Sequence, residues 1–162
     1  MVKKAKECAN FVLEDRLVKE LKKFTDYITL GIDPKKISAT QNYISEPHIE
    51  LVFLKDLQRG NLYWTGKSYP TSAQQNGLVR ITDLKTHFLN LDVGKVMILG
   101  CHDLSIFNPR SINAKGWRRQ VNVCFKKLSQ QEKPVYVLHH PHTTVKKRTW
   151  LNAWNCLIRT LP

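Results

Sequence analysis

Two histidine-rich groups follow apolar runs of this chain, and they are the residues whose types and spacing can do chemistry. The first is Cys101-His102-Asp103 and the second is His139-His140-Pro141-His142. A carboxylate bound to one ring nitrogen of a histidine fixes its tautomer and makes the other nitrogen more basic, which suits a general base or a metal ligand. We therefore predict a catalytic site formed by His102, Asp103, His140 and His142.

The two groups must cooperate, because neighbouring residues of a strand point to opposite faces. His102 and Asp103 are adjacent, so a direct pair between them is disfavoured. The orienting partner expected for Asp103 is a histidine of the second group, His140 or His142. Pro141 stiffens that group and favours an extended backbone on either side of it.

Three kinds of chemistry remain open for this site. The first is acid–base catalysis by a histidine on a phosphoester, with Asp103 as its orienter. The second is a divalent metal site, although the chain shows no diagnostic metal-binding spacing and the cofactor is therefore unknown. The third uses Cys101 as a nucleophile activated by a histidine. The candidate metal ligands are Cys101, His102, Asp103, His140 and His142.

Basic and hydroxyl side chains follow both groups, where the next helices are expected to begin. Thr143 or Thr144 is a suitable N-cap, and a helix N-terminus attracts anions through its free N–H groups and its dipole. We therefore predict a phosphate-binding surface beside the catalytic site. Its predicted members are Arg110, Ser111, Thr143, Thr144, Lys146, Lys147 and Arg148. The alternative is that the threonines only cap the helix and the basic side chains are solvated.

The charge distribution favours an anionic partner. The chain has 26 Lys and Arg against 13 Asp and Glu, a formal net charge of +13. From Leu104 to Pro162 there are eleven basic residues and a single acidic one, Glu132. Surfaces that are merely solvated usually mix both signs, whereas a one-sided excess of Lys and Arg is typical of proteins that contact phosphates. The predicted partner is therefore nucleic acid or a nucleotide.

The elements that must position these residues indicate an α/β fold. Residues 5–25 and the end of the chain from Trp150 show helical spacing of apolar residues, and residues 49–54 and 62–65 resemble a hairpin. Residues 95–100 and 134–138 are continuous apolar runs, typical of parallel strands buried on both faces, with a crossover helix between them. We expect a further helix at 82–91. The prediction is a single three-layer α/β domain with a mostly parallel central sheet, flanking helices and an antiparallel hairpin at one edge.

The length, the cysteines and the hydropathy of the chain give expectations about its domains and its compartment. Its 162 residues fit one domain, 1–162, which can also be a fragment of a longer protein. Four scattered cysteines, the lack of an apolar leader and the lack of a long apolar run indicate a cytoplasmic protein that does not associate with membranes. The sequence leaves the oligomeric state unknown. His87 is interpreted as a surface residue.

Two classes of function follow from these patterns. The first is a small hydrolase of a phosphoester or nucleic acid that uses the His/Asp site. The second is a non-catalytic module that binds nucleic acid or an acidic partner, or a regulatory domain that senses a nucleotide at the same edge. The chain lacks a Walker loop, a strand-linked GxGxxG, an HExxH and a GxSxG motif, so none of those chemistries is expected.

Overall fold

The computed structural model of the chain describes residues 2–32, 48–71, 74–141 and 147–161. Its helices are α1 (Val2–Val12), α2 (Asp15–Leu21), α3 (Gly116–Glu132) and α4 (Lys147–Thr160). Its strands are β1 (Tyr27–Ile32), β2 (Leu51–Asp56), β3 (Leu62–Gly66), β4 (Phe88–Leu91), β5 (Gly94–Leu99) and β6 (Tyr136–His139). Three short 3-10 turns, Leu84–His87, Asp103–Phe107 and Pro109–Asn113, lie between them.

The strands form two separate three-stranded sheets. The first has the order β1-β2-β3 and is antiparallel throughout. The second has the order β4-β5-β6, in which β4 and β5 are antiparallel and β5 and β6 are parallel. The predicted three-layer domain with a mostly parallel central sheet is therefore wrong. The predicted 49–54/62–65 hairpin is present as β2 and β3, and the parallel β5–β6 pair is linked by α3.

Strand β5 explains why the sequence pattern was misleading. Val96 and Ile98 pack against Val52 and Leu54 of β2, between the two sheets. Met97 and Leu99 point the other way, into a core shared with Phe125 of α3 and Leu157 of α4. A strand between a helix layer and a second sheet is buried on both faces, just as a strand of a parallel α/β sheet is. Continuous apolar character therefore does not distinguish the two architectures.

The layers follow from these contacts. Helices α3 and α4 cover one face of the β4-β5-β6 sheet, and the β1-β2-β3 sheet covers the other. Ala5 and Ala9 of α1 pack on the outer face of the β1-β2-β3 sheet, against Leu51 and Phe53. The order of layers is thus helix, sheet, sheet, helix. Of the described helices, none is both long and apolar enough to cross a bilayer.

Several local predictions also need correction. The single helix expected at 5–25 is two helices, because residues 13 and 14 interrupt it between α1 and α2. The helix expected at 82–91 is a 3-10 turn followed by β4, which pairs with β5 from Phe88 to Leu91. In that segment the pairing of backbone groups with β5 outweighs a short helical pattern.

Candidate functional site

The turns that follow β5 enclose an open cleft of about 270 Å³. We call it the β5 cleft. Its walls come from the segment after β3, from the two 3-10 turns after β5, and from the first turns of α3 and α4. The lining residues are Tyr69, His102, Ser105, Asn108, Arg110, Ser111, Asn113, Ala114, Arg118 and Thr149. They include two arginines and no carboxylate, so the two side chains with a permanent charge among these residues are both positive.

Asp103 lies behind the cleft wall and is fully buried. Its Oδ1 accepts hydrogen bonds from the backbone N–H groups of Ser68 (3.0 Å) and Tyr69 (2.7 Å), and its Oδ2 accepts one from Gly100 (3.0 Å). Burial raises the pKa of Asp103, while the nearby His87 and the three N–H groups act against that rise. These contacts make Asp103 an anchor between the segment after β3 and the turn after β5. Its predicted catalytic role stays a prediction.

His87 is fully buried, so its interpretation as a surface residue is wrong. Its Nδ1 lies 2.6 Å from the Ile98 carbonyl oxygen and its Nε2 lies 2.9 Å from the Ser68 Oγ. Burial lowers the pKa of His87, and the charge of Asp103 opposes that effect. The sequence analysis did not single out Ser68 and placed His87 on the surface, because neither residue belongs to a recognisable motif.

His102 is the predicted catalytic histidine that reaches the β5 cleft. Its Nδ1 lies 3.2 Å from the Tyr69 carbonyl oxygen, and its ring stacks with that of Tyr69 at an interplanar angle of 17°. Burial, with help from the charges of Lys67 and Arg118, lowers the pKa of His102 to about 4. The imidazole is therefore neutral at pH 7. Since a carbonyl can only accept, Nδ1 carries the proton and Nε2 is an acceptor.

The described histidines of the second group, His139 and His140, contact different parts of the fold. The Nε2 of His139 donates to the Cys101 carbonyl oxygen (3.0 Å), and its ring packs against Trp150 of α4. The Nε2 of His140 lies 2.8 Å from the Thr29 Oγ1 on β1. The described hydrogen bonds to the Asp103 carboxylate come from the backbone N–H groups of Ser68, Tyr69 and Gly100. Its predicted pair with His140 or His142 stays a prediction. His142 lies outside the described residues.

The predicted phosphate-binding residues divide into three groups. Arg110 and Ser111 line the β5 cleft. Lys147 and Arg148 are exposed at the start of α4, immediately before the cleft residue Thr149. The remaining members, Thr143, Thr144 and Lys146, lie outside the described residues, so the predicted cap of α4 is not tested.

Arg118 is the basic cleft residue that sequence reasoning missed. Its guanidinium carbon lies 4.7 Å from the centroid of the Tyr69 ring, a cation–π geometry. Its Nε is buried and has no hydrogen-bond partner among the described residues. The spacing of Arg118 from Arg110 carries no signal in a linear sequence, because the 3-10 turn Pro109–Asn113 is what folds the two arginines towards one cleft.

The described part of the chain contains no group of three or more His, Cys, Asp or Glu side chains placed to hold a metal ion. The five candidate metal ligands include His142, which lies beyond it. Comparisons with known protein families, with curated proteins and with solved structures find no match to this chain.

Proposed function

We propose that the protein is a binding module for a phosphate-containing ligand, a nucleotide or nucleic acid, and that the β5 cleft is its binding site. The observation that carries this proposal is the meeting of Arg110 and Arg118 in a cleft whose described lining residues include no carboxylate. An arginine presents planar, bidentate donors that match phosphate oxygens. The net charge of +13 adds a long-range attraction for the same ligands.

The cleft geometry supports binding more than acid–base catalysis. Of the four predicted catalytic residues, His102 lines the cleft, whereas Asp103 holds three backbone amides and His140 contacts β1. A histidine with a pKa near 4 is a weak base at neutral pH, since efficient general bases have a pKa close to the working pH. The hydrolase is the second candidate, because His102 lines the cleft and its Nε2 carries no proton.

The test is binding of a fluorescein-labelled oligonucleotide, followed by fluorescence anisotropy from 50 to 300 mM salt. Arg110→Gln should reduce the slope of log K against log salt by about one, the loss of one phosphate contact. Arg119→Gln is the matched control, because Arg119 is exposed on α3, next to Arg118, and does not line the cleft. Absence of binding at 50 mM salt, or equal effects of the two variants, would overturn the proposal.

The same preparation separates the two candidates. If the protein is a binding module, neither the unaltered protein nor His102→Ala should hydrolyse the oligonucleotide. Turnover that disappears in His102→Ala while the oligonucleotide is still bound would instead establish the hydrolase.

We also place the protein in the cytoplasm, because its four cysteines are free thiols and reducing compartments preserve them.

A further inference from the structure

Neutral side chains of the β5 cleft are committed to building its wall. The Oδ1 of Asn108 accepts from the backbone N–H of Arg110 (3.0 Å), and its Nδ2 donates to the Thr149 carbonyl oxygen (3.3 Å). The hydroxyl of Ser111 donates to the Ile106 carbonyl oxygen at 2.6 Å. These contacts tie the 3-10 turns after β5 to one another and to the start of α4.

His102 and Ser105 are committed in the same way. The Nδ1–H of His102 donates to the Tyr69 carbonyl oxygen (3.2 Å), so its Nε2 is an acceptor, and the hydroxyl of Ser105 lies 3.4 Å from that nitrogen as its donor. The imidazole and the hydroxyl therefore satisfy each other within the chain. Recognition of a ligand falls mainly to the two cationic side chains of the lining, Arg110 and Arg118.

Arg118 is a cation for which the described residues supply no counter-charge. It is partly buried at the start of α3, and its guanidinium carbon lies 4.7 Å from the centroid of the Tyr69 ring. Its Nε is shielded from solvent and has no hydrogen-bond partner among the described residues, and no described carboxylate forms an ion pair with it. Because charges removed from water are paired in folded proteins, the counter-ion expected for Arg118 is an anionic ligand of the cleft.

Two arginines match a terminal phosphate better than an internal one. A phosphodiester inside a strand carries one negative charge and has two non-bridging oxygens, which form a single edge for a bidentate donor. A phosphomonoester carries about 1.5 to 2 negative charges at pH 7 and has three such oxygens, which form three edges. Arg110 and Arg118 can therefore each donate to an edge of one phosphomonoester, whereas a diester offers an edge to only one of them.

Building on the function proposed above, we propose that the β5 cleft recognises a phosphomonoester, the terminal phosphate of a strand or of a free nucleotide, in preference to the phosphodiesters within a strand. The size of the cleft supports this proposal. Its volume of about 270 Å³ lies just below the usual range of ligand pockets, roughly 300–1,000 Å³, and suits one phosphate group with part of its sugar. Arg110 and Arg118 line this one small space, so a single phosphate group is expected to contact both.

The test compares the affinities of three internally labelled thymidine strands by fluorescence anisotropy at pH 7.5 and 100 mM salt. Two are ten nucleotides long and carry a phosphate at the 5′ or the 3′ end. The third is twelve nucleotides long with hydroxyl ends, so its total charge equals theirs and the general attraction of the +13 chain cancels. We expect at least one phosphorylated strand to bind about ten-fold more tightly than the hydroxyl strand, the factor given by one hydrogen bond between charged groups. This comparison uses the unaltered protein, so it does not depend on whether a variant folds.

A second arm tests Arg118 against its neighbour. In Arg118→Gln the preference for the phosphorylated strand should fall below about two-fold, because the counter-charge of the terminal phosphate is lost. Arg119→Gln should keep the full preference, since Arg119 is exposed and does not line the cleft. Thymidine monophosphate then separates the two sources of the group. Competition at concentrations near the dissociation constant of the phosphorylated strand would identify a free nucleotide as the ligand, and competition only at much higher concentrations would identify the strand end.

The failures of the two proposals are distinguishable. Equal binding of the phosphorylated and the hydroxyl strands, or a preference that a folded Arg118→Gln retains, would overturn this inference and leave the proposed function standing. Failure of the unaltered protein to bind any strand, even at 50 mM salt, would overturn both.

Discussion

The buried carboxylate of Asp103 makes the sharpest test of the structure. Asp103→Asn changes one oxygen to an amide nitrogen and leaves the side-chain shape intact. If the amide oxygen keeps the Oδ1 position, the hydrogen bonds from Ser68 and Tyr69 survive. The NH₂ group then faces the backbone N–H of Gly100, where Oδ2 now accepts at 3.0 Å. Two donors meet and the N–H of Gly100 loses its partner.

The size of the effect follows from these contacts. Leaving a buried N–H without a partner costs about 1–3 kcal/mol. The two surviving hydrogen bonds lose their charge, at about 1 kcal/mol each. A neutral amide is easier to bury than a carboxylate, which offsets part of this loss. We expect a net decrease of about 2–4 kcal/mol in the free energy of unfolding, within the roughly 5–15 kcal/mol of a typical domain.

Urea denaturation followed by tryptophan fluorescence measures this decrease. With a denaturant slope of about 2 kcal/mol per molar, the midpoint should fall by about 1–2 M. Asp92→Asn is the control, because the Asp92 side chain is 65% exposed and its ion pair with Arg59 contributes about 1 kcal/mol or less. A midpoint for Asp103→Asn that falls no further than that of Asp92→Asn would refute the anchoring role.

Two further predictions concern His102 and the end of α3. Burial lowers the pKa of His102 to about 4, so between about pH 6.5 and pH 4 the unfolded chain binds more protons at this residue. The contribution of His102 to stability should therefore be complete above pH 6.5 and should decline as the pH falls. The urea midpoint of His102→Gln should depend less on pH than that of the unaltered protein. Parallel curves of midpoint against pH for the two proteins would contradict this. Lys133, the C-cap of α3, has a left-handed backbone with φ of 48°. Lys133→Gly should relieve about 1–2 kcal/mol of backbone strain, which exceeds the entropic cost of glycine. We therefore expect this variant to be about 0.5 kcal/mol more stable than the unaltered protein. Lys127→Gly, at an exposed position inside α3, should instead destabilise it by about 1 kcal/mol in the same thermal or urea assay.

Features set by nearby residues could be predicted from the sequence. The hairpin of β2 and β3, the helix α3 between β5 and β6, and the parallel pairing of those strands all leave local or regularly spaced patterns. The division into two sheets leaves no such pattern. Each described strand pairs with its neighbour along the chain, as β1 does with β2, and no local signal in the sequence marks that β3 and β4 belong to different sheets.

The lining of the β5 cleft could be predicted in part. The sequence places the candidate site beyond the end of β5, and of the predicted site residues His102, Arg110 and Ser111 line the cleft there. Arg118 and Tyr69 could not be found in this way. They belong to the cleft because α3 and the segment after β3 bring them there, and neither residue stands in a motif.

The alternation of side chains decides how many histidines can act together. Because neighbouring strand residues face opposite ways, His139 packs on Trp150 of the helix layer and His140 turns to Thr29 of the other sheet. Asp103 and His102 also separate, yet both hold Tyr69: the carboxylate accepts from its N–H and the imidazole donates to its carbonyl oxygen. Asp103 and His102 thus hold Tyr69 in the cleft wall through both polar groups of its backbone.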